Sequence, residues 1–263
     1  MSDPSLAVAV RAARNAAAVI ADAAEDLRHL PAFSGEQGEI ASAADREAEN
    51  AIVTTLAAAF PEHAIVASGQ AADGGSAPAW RWIVDAIDGS ANFAHGYPYY
   101  AISIALAHGP EVTHAIVLDP MRDELFTAVK ARGALLNGVA LRVSACTMLE
   151  RALVGTVVPG RESPKLAPYL RVFEALSRRC GGVRRGGASA LDLAYVAAGR
   201  LDGFWVMNLK PWEVAAGALL VREAGGRVGD FAGGADCLRG SDVVAAAPGV
   251  FNALRETVAR ALG

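Results

Sequence analysis

The order in which hydrophobic periodicity changes along the chain is its strongest constraint. Residues 5–29 place Leu6, Val10, Ala13, Ala17, Ile20, Ala24 and Leu27 at spacings of three and four, with Arg11, Arg14, Asp22 and Glu25 elsewhere. Such spacing predicts an amphipathic helix. The stretch 31–38, from Pro31, breaks it, and Ser42 opens a second periodic segment with Ala48, Ile52, Leu56 and Phe60 before Pro61 stops it. Short runs rich in branched and aromatic residues follow at 64–67, 80–84, 100–107, 112–118 and 124–129, separated by turn residues such as His108-Gly109-Pro110. Two helices followed by a block of strands predict an α+β half with a largely antiparallel sheet.

Beyond about residue 145 the rhythm becomes strand (152–158), helix (165–178), helix (188–199), strand (203–207), helix (212–224) and strand (243–246). That alternation predicts an α/β half. A last helix, 248–262, opens on a Pro in its first turn, where the missing N–H costs nothing. No low-complexity linker separates 1–145 from 146–263, so the two halves are read as a single compact unit sharing one interface.

Several function classes are disfavoured at this point. Against 28 acidic residues the chain has 24 Lys and Arg, with no basic stripe, so direct nucleic-acid binding is not expected. No apolar run approaches the roughly 18–20 residues that a spanning helix needs, and Met1-Ser2-Asp3-Pro4 lacks the features of a signal peptide. A cytoplasmic protein with no membrane partner is expected. Cys146, Cys180 and Cys237 lie far apart, which encodes neither a disulfide framework nor a zinc site. The stretch 181–187, with Arg184 and Arg185 among glycines, reads as a flexible turn entering the next helix, with contact of the two Arg to a phosphate or a dimer partner as the alternative.

The segment Trp82-Ile83-Val84-Asp85-Ala86-Ile87-Asp88-Gly89-Ser90-Ala91-Asn92-Phe93 carries the chemistry. A buried strand is expected to deliver Asp85 at its end, with one turn of backbone bringing Asp88 to the same side. Two anions there repel unless a cation lies between them. Hard oxygen ligands, the Ile87 carbonyl among them, suit Mg²⁺ rather than zinc, with Mn²⁺ a second possibility. Gly89 permits close backbone approach, and the N–H groups of Gly89, Ser90 and Ala91, opening a short helix, would face an anion. Taken alone, the same pattern also fits two Asp residues capping a turn. In Pro211-Trp212-Glu213-Val214-Ala215-Ala216-Gly217, small residues would let a helix pack closely and aim Glu213 at a site made elsewhere, although an acid in a first turn also serves the helix dipole.

Together these segments resemble the signatures of the inositol monophosphatase family. Asp85-Ala86-Ile87-Asp88-Gly89-Ser90-Ala91-Asn92-Phe93 is similar to its Asp-Pro-Ile-Asp-Gly-Thr-x-Asn-Phe, and Trp212-Glu213-Val214-Ala215-Ala216-Gly217 to its Trp-Asp-x-Ala-Ala-Gly. Ser42-Ala43-Ala44-Asp45-Arg46-Glu47-Ala48-Glu49 resembles the family's early helix entry, and Gly187-Ala188-Ser189-Ala190-Leu191-Asp192 its substrate-side helix. The resemblance implies a layered αβαβα sandwich of mixed α+β and α/β character. It also implies Mg²⁺-dependent hydrolysis of a small phosphorylated metabolite, and often a homodimer. By position, Asp85 would bridge two ions, the Ile87 carbonyl would bind one, and Asp88 with Glu213 would hold the other. Ser90, in place of Thr, would pair with Asp45 to orient the attacking water. Gly89, Ser90, Ala91, Ser189 and Val206 fall on the substrate side.

The resemblance also marks departures. The family's Gly-Glu-Glu, whose first Glu binds the catalytic metal, is replaced within His63-Ala64-Ile65-Val66-Ala67-Ser68-Gly69-Gln70, where that Glu falls on Ser68. Slipping by one or two residues offers only Gly69 or Gln70. Glu213 stands where Asp is usual, and Val206 where many relatives carry a Glu that holds substrate hydroxyls. Two functions are therefore open: a phosphomonoesterase with altered metal dependence and a substrate other than inositol phosphate, or a non-catalytic relative acting as a ligand-binding or protein-interaction (regulatory) module. Some bacterial members of the family act on the transcription machinery.

Overall fold

The computed structural model describes residues 3–28, 35–68, 79–234 and 242–263. Helices α1 (Pro4–Arg28) and α2 (Gly35–Ala59) lead into a seven-stranded sheet, whose strands follow one another in space as in sequence. These are β1 (Ala64–Ala67), β2 (Trp80–Asp88), β3 (Ala101–His108), β4 (Glu111–Asp119), β5 (Glu124–Val129), β6 (Ala134–Leu136) and β7 (Val139–Ala140). Only the β1–β2 pair is parallel. A one-turn helix, α3 (Ser90–Ala94), follows β2.

The second sheet combines β8 (Leu153–Thr156), β9 (Gly182–Arg184), β10 (Gly203–Val206), β11 (Arg227–Gly229) and β12 (Val243–Ala246), in the order β11-β12-β10-β8-β9. Helices α4 (Leu166–Ser177), α5 (Ser189–Ala197), α6 (Pro211–Glu223) and α7 (Pro248–Leu262) connect or follow these strands.

Strand alternation sorts the side chains into three cores. Trp82 and Val84 of β2, with Ile102, Ile104 and Leu106 of β3, face α1 and α2. Ile83, Ala101 and Ala105 point the other way, toward α5 and α6, and meet Phe204 and Val206 of β10 across that helical layer. Trp205, Val244 and Ala246 turn outward onto α4 and α7. The result is five layers, α1α2, first sheet, α5α6, second sheet, α4α7, and the central core draws side chains from both halves of the sequence. Each fully buried large side chain contributes about 1.5–3 kcal/mol. Close approach in the middle layer depends on Gly217, where a Cβ would lie 2.5 Å from the Leu193 Cβ.

Three local expectations are corrected. Helix α2 begins at Gly35 rather than Ser42, because Ile40 and Ala41 still pack on the α1 side while Gly38 faces open space; the expected break at Pro31 lies outside the described residues. Strand β2 runs on through Asp88 instead of ending at Asp85. The glycine-rich stretch after α4 contains β9, which pairs parallel with β8, so part of the expected turn is an edge strand. The pieces β6, β7 and β11 are too short for periodicity to reveal them, whereas α3 is the short helix expected after Gly89. Among the described residues no helix is long and apolar enough to cross a membrane, and Cys146 and Cys180 are free thiols; Cys237 lies outside them.

Candidate metal and phosphate site

Asp85 and Asp88 share a face through a β-bulge. Asp85 pairs with Ser103 and Asp88 with Ala101, so three steps along β2 match two along β3. In a regular strand residues three apart face opposite ways. The extra residue reverses this: Ala86 and Ile87 both enter the core under α1 and α2, and Asp88 returns to the face of Asp85, toward α5 and α6. The expected turn is thus a bulge within a continuing strand.

Acidic groups from three elements converge here. Burial pushes the Asp85 carboxyl up to about 8, and the charges of Glu213, Asp45 and Glu49 add to the effect against the opposing Ile87 N–H. Burial likewise raises Asp88 well above the carboxylate range, with Asp85 and Glu213 adding to it. Asp88 Oδ2 accepts the Ala190 N–H of α5 at 2.6 Å, which works in the other direction. Glu213 is raised by burial, and its Oε2 accepts the Lys210 N–H at 2.6 Å at the start of α6. Asp45 is raised by burial against the nearby Arg46, and its Oδ1 is buried with no hydrogen-bond partner.

Oxygen donors of this kind and charge fit Mg²⁺ or Mn²⁺: neighbouring carboxylates raise Asp85 and Asp88, while Arg46 beside Asp45 and Lys210 beside Glu213 offset only the outer two acids. Among the described residues no three acidic, His or Cys side chains close around a common point. Two of the carboxylates are turned instead onto backbone donors, Asp88 onto Ala190 and Glu213 onto Lys210.

The remaining candidates are placed as follows. Ser68 directly follows β1, whose last residue Ala67 pairs with Val84, so the parallel register carries Ser68 level with Asp85. Gly69 and Gln70 lie outside the described residues. Gly89 adopts φ +93°, and a Cβ there would meet the Ala188 Cβ and the Tyr99 carbonyl oxygen, each at 3.1 Å. The start of α3 is thereby pressed against the start of α5. Ser90 and Ala91 are exposed at that start, Ser189 is buried at the first position of α5, and no hydrogen bond joins Ser90 to Asp45 among the described residues. The Ile87 side chain lies in the α1–α2 core, and Val206 is 2% exposed within the central core.

Sequence reasoning missed Glu49, although it stands one helical turn after Asp45, a spacing that puts both on one face. It also missed Asp192, whose charge reaches Asp88, and Tyr99, which bonds to it. Asp192 ends the segment that resembles the substrate-side helix, but nothing in the sequence pairs it with Tyr99, 93 residues away.

The model of the inositol monophosphatase family matches residues 1–262. The Nus factor SuhB of Pseudomonas aeruginosa is 44% identical over 97% of this chain and 96% of its own length. Among solved structures, extragenic suppressor protein suhB from Bartonella henselae superposes with a TM-score of 0.85 at 37% identity, over 95% of this chain and 97% of its own. An inositol monophosphatase from Anabaena gives a TM-score of 0.85 at 31% identity, over 97% and 95% of the two chains. With the family signatures on β2 and α6 and the layered architecture around them, the chain belongs to the inositol monophosphatase family.

Proposed function

We propose that the chain hydrolyses a small phosphomonoester, the phosphate of a sugar, polyol or amino alcohol, with Mg²⁺ or Mn²⁺ held by Asp85, Asp88 and Glu213 and the Ile87 carbonyl. The observation that carries this reading is the bulge that sets Asp85 and Asp88 on one face within reach of the charges of Asp45 and Glu213. When bound, such a cation supplies positive charge at the phosphoryl group and acidifies water. The chain supplies the positioning. The N–H groups of Gly89, Ser90 and Ala91, at a helix start with no intrahelical acceptors, face the phosphate oxygens. Ala188, just before α5, packs against Gly89. Asp45 Oδ1, buried and without a partner, is the acceptor for a proton from the attacking water. Phosphoryl transfer asks mainly for such placement of charge, so no protein nucleophile is required.

Phosphate release measured over a panel of phosphomonoesters with excess Mg²⁺ or Mn²⁺ tests the reading. Release that depends on the metal and is lost in Asp85→Asn is the expected result. A folded protein that releases phosphate from none of them overturns it.

A second reading, a regulatory module acting on the transcription machinery, is supported by the 44% identity to a protein named Nus factor and by Ser68 standing where an acid is usual. It predicts binding to purified bacterial RNA polymerase that Asp85→Asn leaves unchanged. No binding by the full-length chain at micromolar concentration counts against it.

A further inference from the structure

The first turn of α5 carries a buried acid that the reaction does not use. Asp192 is 1% exposed, and its Oδ1 accepts the Tyr99 hydroxyl at 2.5 Å. Tyr99 sits in the loop between α3 and β3, and that loop is itself fastened: Asn92 Nδ2 donates to the Tyr99 carbonyl at 2.6 Å and to the Gly186 carbonyl at 2.9 Å. Gly186, just before α5, leaves no room for a side chain, since a Cβ would lie 2.3 Å from the Tyr99 ring and 2.8 Å from Asp192 Oδ1. Asn92, Tyr99, Gly186 and Asp192 thus form one connected unit joining α3, its following loop and α5. Two residues before Asp192, the Ala190 N–H is the donor that holds Asp88 Oδ2.

We infer that the Tyr99–Asp192 hydrogen bond is a latch that fixes the first turn of α5, and through the Ala190 N–H sets the position of the Asp88 carboxylate. The two are positioning residues: neither is placed to touch the phosphate. The inference rests on the reading of Asp85 and Asp88 as the metal and phosphate site only for its consequence, weaker cation binding when the latch is opened. The latch itself is independent of that reading. What it needs from Asp192 is an acceptor oxygen rather than a charge. Asparagine retains that oxygen, whereas alanine at 192 or phenylalanine at 99 removes the bond.

The test compares Tyr99→Phe, Asp192→Ala, Asp192→Asn and the Tyr99→Phe/Asp192→Ala double variant. Exchange of the Ala190 amide with deuterium, followed by NMR on the full chain, reads the latch without metal. An acceleration of at least about tenfold is expected in Tyr99→Phe and Asp192→Ala, with no further acceleration in the double variant and wild-type behaviour in Asp192→Asn. Calorimetric titration with Mn²⁺ should show the same ordering, with roughly tenfold weaker binding where the bond is lost. Unchanged Ala190 exchange in Tyr99→Phe overturns the latch, and so does a general rise in exchange across α5 and α6, which reports lost packing. If wild type binds no Mn²⁺ while the exchange pattern holds, the latch stands and the metal reading fails. If Mn²⁺ binds equally well in all four variants despite faster exchange, the link from latch to Asp88 is wrong.

Discussion

Ser68 is the first residue after β1, and the parallel register that pairs Ala67 with Val84 carries it level with Asp85, whose carboxyl is raised by burial and by the charges of Glu213, Asp45 and Glu49. The register that places it there is set by four consecutive pairs between β1 and β2. On the proposed reading, in which the family's metal-binding Glu falls at this position, Ser68 leaves a cation one ligand charge short.

Restoring the acid should therefore raise activity. Ser68→Glu combined with Glu213→Asp is expected to increase Mg²⁺-dependent hydrolysis of the best substrate by at least about tenfold, or about 1.4 kcal/mol of barrier. Ser68→Ala should change the rate little. A folded double variant with no gain, or a large loss in Ser68→Ala, would refute the reading of Ser68 as a deficit.

Inositol 1-phosphate should be a poor substrate compared with others on the same panel. Val206 is 2% exposed among the apolar side chains of the central core, so β10 offers no side-chain acceptor to ring hydroxyls, and each polar group left unpaired on binding costs about 1–3 kcal/mol. Comparison of kcat/KM across the panel checks this; turnover of inositol 1-phosphate as efficient as any other would contradict it.

The buried acids make stability depend on pH in a definite direction. Asp85 is raised from 3.8 to about 8 and Asp192 from 3.8 to about 7, both chiefly by burial. Across that window the folded chain binds more protons than the unfolded one, so their contribution to stability falls as pH rises from about 4 to 8. Urea denaturation midpoints in EDTA should decline over this range, and the decline should be shallower in Asp192→Asn. Millimolar Mg²⁺ should recover part of the loss at pH 8, because a cation favours the ionised carboxylates. A midpoint that rises with pH in wild type relative to Asp192→Asn would show that the folded chain holds Asp192 below its ordinary value, the opposite direction.

Gly217 should tolerate no side chain. Its absent Cβ would sit 2.5 Å from the Leu193 Cβ and 2.6 Å from its Cδ1, so Gly217→Ala must push α5 and α6 apart. Overpacking of this kind costs about 1–3 kcal/mol, somewhat offset by the better helix propensity of Ala. Chemical denaturation should show the net loss. A variant as stable as wild type would mean that the central layer is looser than its packing indicates.

Much of this protein was legible before any coordinates. Helices α1, α4, α6 and α7 and strands β1, β5 and β12 fall within a residue or so of where periodicity and punctuation place them, because amphipathic spacing and Pro or Gly boundaries are local properties. The resemblance likewise carried the layered architecture and the residues Asp85, Asp88 and Glu213 as one group. It was the register between strands that decided how Asp85 and Asp88 come to share a face, since a bulge exists only relative to a partner strand. Tertiary packing alone brought Glu213 from α6 to β2, turned Glu49 toward Asp85, and joined Tyr99 to Asp192. Periodicity reports which side of an element is apolar; it does not report which element covers that side, and the site is built where those coverings meet.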